Sequence, residues 1–366
     1  MKTIGLISAN YISGDFGELA QKRTLASMPF GGRYRLIDFA LSNMYNAGIT
    51  TVGVISPFNS GSLIDHIGEG EPWSLDKKNG GLFIMPGSVF GVTISGNRFL
   101  MRDIIANRNF LEKDKADFVI ITGSSDVYNM SYKDLIKAHK NSGHSMTIVT
   151  HPVDNAEDYR GFFITKDESG RVSELMTKSR GEAEYFMDCL IVDRKFLIDF
   201  IDWFETLEYM DLMDIISMYI DRFSIGTYTF DGYYGKVSNL KDYMRVNNDM
   251  LNRTIVRELF QGERSVYTKI QDVPPAGFHK GSNVKNSLIG AGSEISGTVE
   301  NSIIFRSCII EEGAVVKNSI VMQHGRISKD AVIDGVVMDK YVTISEGVVI
   351  KGGDDKPLPI GKKKTL

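Results

Sequence analysis

Cysteine is scarce in this chain: of 366 residues only Cys189 and Cys308 carry a thiol, far apart and each inside an apolar run. A disulfide framework and a cysteine-based metal site are thereby excluded, and both thiols are expected to pack as small hydrophobes. Long hydrophobic stretches are missing as well. No run of about 18 uncharged apolar residues occurs, and the N-terminal MKTIGLISANYISGDFG has no basic head leading into an apolar core. These features predict a cytoplasmic protein with no membrane attachment. Neither sign of charge dominates, since 42 basic residues face 46 acidic ones for a net charge of −4. No general attraction to nucleic acid or anionic lipid follows, so any anion site has to arise from local clustering. The histidines show no metal-ligand spacing such as a pair on one helix face, and none is assigned a role.

What is present is an ordinary globular balance, 42% hydrophobic and 24% charged, in a chain long enough for a large domain and a smaller one. The first part alternates apolar, β-rich runs at 3–8, 51–56, 117–123 and 145–151 with helical patterns at 37–48 and 131–143, each helical pattern closed by a glycine. Alternation of this kind predicts a mostly parallel sheet covered by helices, an α/β domain over residues 1–251. Residues 196–220 read as a packed helix pair. A charged segment and the QDVPPAGF stretch then predict a linker over 252–279. Beyond it a six-residue period sets in, with Ile303, Ile309, Val315, Val321, Ile327 and Ile333 in one phase, shifted phases before and after, and Gly, Ser, Asn and acidic residues between. Hexapeptide periodicity places one aliphatic residue per short strand in the core of a triangular parallel β-helix, here residues 280–366, and an uncovered solenoid face favours oligomerisation.

The segment PFGGRYRLIDFALSNMYNAGITTVGVIS, residues 29–56, resembles the ADP-glucose pyrophosphorylase (glucose-1-phosphate adenylyltransferase) family. Similarity continues through 59–81, through GRVSELMTKS at 170–179 and into the repeats. The resemblance implies a Rossmann-like nucleotidyltransferase domain followed by a left-handed β-helix, assembly as a tetramer, and Mg²⁺-dependent transfer of an adenylyl group from ATP to glucose 1-phosphate in glycogen or starch synthesis.

Adenylyl transfer asks for cations around the phosphates, chiefly metal ions held by carboxylates. Set against the family motifs, this chain has lost those groups. The glycine-rich phosphate loop reads Asn10-Tyr11-Ile12-Ser13-Gly14-Asp15-Phe16, with Asp15 at the family's arginine position. A carboxylate there repels a triphosphate, by roughly 1–4 kcal/mol for a like-charged pair about 4 Å apart near a surface. Leu25 takes the place of a phosphate-binding lysine. Ser125, in ITGSSDVY, takes the place of the first metal-binding aspartate, with Asp126 one residue away as a potential replacement, and Lys236, in YYGKVSNLKDY, takes the place of the second. The element beside the nucleotide has become Gly96-Asn97-Arg98-Phe99-Leu100. The expectation is a catalytic centre that has lost its Mg²⁺.

Basic residues are retained elsewhere. Lys22, Arg23, Arg33 and Arg35 flank the turn before the IDF segment, and Arg306 lies in a repeat; in the family these regions border the cleft where sugar-phosphate effectors bind. Arginine suits a bidentate hold on phosphate. An effector pocket built from Lys22, Arg23, Arg33 and Arg306 competes with interdomain salt bridges as the reading of this cluster, and Arg35 is expected to pair with Asp38 or another acid. Lys178 falls on the family's lysine for the phosphate of glucose 1-phosphate, but its companions are Thr177 and Ser179. It is a vestigial sugar-phosphate residue or an ordinary surface lysine. Three functions stay open: a catalytically impaired regulatory subunit that joins a catalytic subunit, GlgC, in a heterotetramer or forms a homo-oligomer; an active adenylyltransferase using Asp126; and a stand-alone sugar-phosphate sensor.

Overall fold

The computed structural model describes residues 1–9, 14–57, 59–88, 99–353 and 356–366, with the backbone alone for residues 14 and 15. The apolar runs become the strands of one mixed sheet: β1 (Thr3–Ser8), β2 (Thr51–Ser56), β3 (Gly81–Pro86), β4 (Phe118–Thr122), β5 (Met146–Val153), a hairpin of β6 (Phe163–Lys166) and β7 (Val172–Met176), then β8 (Ala183–Asp193) and β9 (Ile225–Thr229). The strand order is β9-β5-β8-β4-β1-β2-β3. Strands β1 to β4 are mutually parallel along this path, while β8 runs antiparallel to both β4 and β5. The central strands β1, β2 and β4 are buried on both faces, as near-continuous Val and Ile runs require.

Helices cover this sheet: α1 (Ile37–Asn46), α2 (Tyr132–Ser142), α3 (Arg194–Trp203) and α4 (Leu212–Met218). The two glycines expected to close helices do so: Gly48 and Gly143, just past α1 and α2, adopt φ of 77° and 71°, which costs little without a Cβ. Two further helices, α5 (Leu240–Asn248) and α6 (Arg253–Phe260), end the domain. Helix α6 lies inside the segment expected to be linker: Asn252 caps it by accepting from the Thr254 amide, Leu259 is buried, and Phe260 stacks on Tyr34 with ring centroids 4.9 Å apart. Its apolar stripe, too short to stand out in the sequence, is what draws these residues into the domain.

The C-terminal domain is a parallel β-helix whose short strands stack into three five-stranded sheets. Its core is lined by Ile304, Ile310, Val316, Val321, Ile327 and Ile333, all solvent-inaccessible. For the first three of these strands this corrects the expected phase by one residue. Ile309 is 38% exposed and Val315 half-buried, whereas Ile303 turns away from the solenoid core to pack against the α/β domain. These strands carry aliphatic pairs, so periodicity alone cannot say which member faces inward. Backbone turns decide it: Asn286, Asn301 and Asn318 stand one above another at left-handed φ of 43–48°, a conformation asparagine tolerates. Side-chain amides continue the column, Asn286 donating to Asn301 at 2.8 Å and Asn318 to Asp334 at 2.9 Å.

The two domains share an apolar seam. Phe16, Phe30, Phe39 and Tyr243 from the α/β side pack with Ile303, Phe305, Met322 and Val337 from the solenoid. Inside the seam Arg23 meets Asp339 at 2.6 Å to both carboxylate oxygens, with the two side chains 6% and 2% exposed. Removing one member strands the other charge away from water. Arg23→Ala is accordingly expected to lose roughly 3–5 kcal/mol of stability, read by urea denaturation.

Candidate active site and interdomain cleft

In open α/β sheets ligands bind beyond the carboxyl ends of the parallel strands. There, past β4, the chain runs through Gly123-Ser124-Ser125-Asp126, and a two-residue bridge between Val127 and Gly235 brings it beside residues 234–237. A bulge interrupts the pairing of β8 with β5 between Phe186 and Leu190, and within it Asp188 holds a φ of 52°. Aspartate tolerates this left-handed conformation better than most side chains, at a cost of about 1 kcal/mol.

The three segments converge on an ammonium group. Lys236 Nζ lies 2.6 Å from Asp188 Oδ2 and 3.3 Å from Asp126 Oδ2, and all three side chains are buried. Asp126 also accepts from the Tyr234 hydroxyl at 2.9 Å and, more distantly, from the Val237 amide at 3.5 Å. The Tyr185 ring faces the ammonium with its centroid 5.2 Å away, adding a cation–π contact. Tyr185 is itself packed against Tyr159, Phe163 and Tyr234, with centroids 5.0–6.2 Å apart. Ser125 is fully buried, and its hydroxyl reaches Asp126 Oδ1 at 3.5 Å. Asp126 is therefore near the place a metal ligand would occupy, yet its oxygens are taken by Lys236, Tyr234 and the Val237 amide. A divalent cation does not fit this arrangement, because an ammonium already sits between the carboxylates and would repel it.

Leu25, expected at the family's phosphate-binding lysine position, is buried in the interdomain seam. Residues 10–13, the Asp15 side chain and Gly96-Asn97-Arg98 lie outside the described residues. Phe99 is buried, and its amide donates to Asp211 at 2.6 Å. Lys178 is exposed at the rim of an open depression of about 620 Å³ whose floor is apolar, formed by Phe162, Leu175, Met176 and Met218, with Asp214 the other charged group. Burial raises the Asp214 carboxyl above its ordinary range. One lysine beside a carboxylate does not make a phosphate grip.

The expected effector residues separate. Arg33 and Arg306 line a cavity of about 490 Å³ between the domains, and Arg306 donates to the Arg33 carbonyl at 3.2 Å and to Gln271 at 2.5 Å. Arg23 is engaged behind it with Asp339, and Lys22 is exposed and outside the lining. Arg35 corrects the expected pairing: its guanidinium donates to the carbonyl and hydroxyl of Ser62, and only its backbone amide bonds Asp38, at 2.9 Å. The Asp38 carboxylate is held by His66 Nε2 at 2.5 Å. Burial pushes Arg35 down to about 10. The solenoid contributes groups that no motif announced: Lys340, Gln323, and the stacked rings of His324 and Tyr341, 4.7 Å apart. Asp188, too, was missed; its only sequence signal was a lone acid inside the apolar run of β8.

Comparison with known proteins agrees with this layout. The nucleotidyl transferase family profile matches residues 18–270, and a profile described as "GlmU-like, C-terminal hexapeptide" matches 274–357. The class is thus a nucleotidyltransferase domain joined to a hexapeptide solenoid. Glucose-1-phosphate adenylyltransferase of Thermotoga sp. (strain RQ2) is 32% identical over 327 residues, covering 86% of this chain and 76% of that protein. The corresponding protein of Pseudothermotoga lettingae is 33% identical over 320 residues, covering 86% and 76%. The glycogen biosynthesis protein GlgD of Geobacillus stearothermophilus is 31% identical over 316 residues, covering 86% and 82%. The chain belongs to the glucose-1-phosphate adenylyltransferase family.

If the ammonium is what neutralises the two aspartates, Lys236→Ala should lose roughly 3–5 kcal/mol of stability. Millimolar Mn²⁺ should restore part of that loss while leaving the unfolding midpoint of the unaltered protein where it was.

Proposed function

We propose that this chain is a catalytically silent, regulatory member of its family, acting in the cytoplasm on ADP-glucose synthesis through a catalytic homologue of the GlgC type. The observation that carries the reading is the Lys236 ammonium held between Asp126 and Asp188, in the region where the family's chemistry needs a carboxylate-bound metal. Tyr185 and its aromatic neighbours fill space beside it. The relative named glycogen biosynthesis protein GlgD, similar over most of its length, is in keeping with a role in glycogen biosynthesis. The alternative of an active enzyme using Asp126 has to free that carboxylate first, from Lys236 and Tyr234 among others.

Regulation requires a site whose occupancy differs between states of the assembly. The interdomain cavity is a candidate: Arg33, Arg35 and Arg306 give it positive charge, and a phosphorylated sugar is the matching ligand class. The effect reaches the catalytic partner through a heterotetramer, with the outer faces of the solenoid as candidate contact surfaces.

Assayed alone with Mg²⁺, ATP and glucose 1-phosphate, the purified chain should form no ADP-glucose above the uncatalysed rate. Mixed with its catalytic homologue it should change that enzyme's response to sugar phosphates several-fold. Turnover by the chain alone at the rate of a working family member would overturn the proposal. Sugar-phosphate binding without any co-purifying homologue would favour a stand-alone sensor instead.

A further inference from the structure

The cavity between the domains holds a cation that no acid neutralises directly. Lys340 lines it and is mostly buried, yet among the described residues its ammonium makes no hydrogen bond or ion pair. From the α/β domain Arg35 and Arg23 face it. On its own solenoid coil the nearest acid is Asp339, whose carboxylate is occupied by Arg23, and Lys362 approaches from the C-terminal segment. The remaining charged groups of the cavity are Arg33 and Arg306, Lys269, which is paired with Asp65 at 3.6 Å, and Asp272; His66 and His324 are its other titratable cations and Tyr34 and Tyr341 its phenols. Close by, the Gln323 amide oxygen is shut off from solvent and has no hydrogen-bond partner among the described residues, so the cavity leaves polar as well as charged valences open.

We propose that Lys340 is a proton-gated ligand of this cavity: an entering phosphate-class dianion supplies its missing counter-charge, a proton is taken up with the anion, and anion binding tightens as pH falls through neutrality. The inference rests on reading the cavity as an anion site. Burial together with the neighbouring Arg35 and Arg23 pushes Lys340 down to about 7, so in the empty cavity a large share of the molecules carries a neutral amine at physiological pH. A bound dianion favours the charged form and moves the group back towards its ordinary alkaline range. Binding above neutrality then has to draw a proton from solution, and the affinity falls by up to about tenfold for each pH unit gained.

Inorganic sulfate is the suitable probe, because it stays a dianion throughout and any pH dependence belongs to the protein. Calorimetric titration of the full chain from about pH 6 to about pH 8.5, in two buffers of different ionisation heat, should show the affinity dropping about tenfold or more with close to one proton taken up at the alkaline end. Lys340→Arg, permanently charged, should bind across the whole range with no proton uptake, and Lys340→Gln should bind weakly and independently of pH. Saturable binding that is independent of pH in the unaltered chain would overturn the proposal and leave the anion site standing. So would a pH dependence that persists in Lys340→Arg, which would assign the proton to His324 or His66. No saturable sulfate binding at any pH, or binding that Arg306→Ala leaves unchanged, would refute the anion site itself and this inference with it.

Discussion

One buried ion triad governs the interpretation of this molecule. An aspartate from the segment after β4 and one from the bulge in β8 are brought together at the end of the central sheet, and a lysine from a third segment is placed between them. Carboxylates this deeply buried need a positive partner. In a metal-dependent nucleotidyltransferase the partner is an ion that arrives with the nucleotide. Here it is covalently attached, carries one charge, and cannot leave. The same geometry that would concentrate a divalent cation is thus used to hold the protein together, with Tyr234 and the cation–π face of Tyr185 completing the shell.

That substitution has consequences for how the two domains relate. The seam between them is apolar, and the Arg23–Asp339 pair is locked inside it. A large hydrophobic interface argues for one rigid unit rather than two bodies hinged around a substrate. Response to a ligand is better placed in the cavity between the domains, which Arg33, Arg306 and Lys340 line.

Much of this was legible in the amino-acid sequence, and the reasons differ by element. Strands β1, β2 and β4 announced themselves because fully buried parallel strands must be nearly all aliphatic. The solenoid was visible in its six-residue period, but the paired isoleucines of its coils hid the inward phase, which is set by asparagine turns. Lys236 was singled out as a lost metal ligand; its partner Asp188 was not, since a bulge brings it in and no local pattern encodes a bulge. The cationic cluster was seen as one group, yet Arg23 and Arg306 perform different tasks on opposite sides of a surface that only the fold defines. Lys340, His324 and Tyr341 sit at or beside solenoid corners that no sequence pattern marks, and His324 and Tyr341 hold left-handed φ of 60° and 59°, where asparagine or glycine would be the expected residue.

The most direct measurement is an anomalous diffraction experiment on crystals of the unaltered chain soaked with Mn²⁺ and ATP. The account predicts no manganese peak within coordinating distance of Asp126 or Asp188, with the Lys236 ammonium still between them. An ordered ion bound by either carboxylate next to a triphosphate, with the lysine displaced, would contradict it.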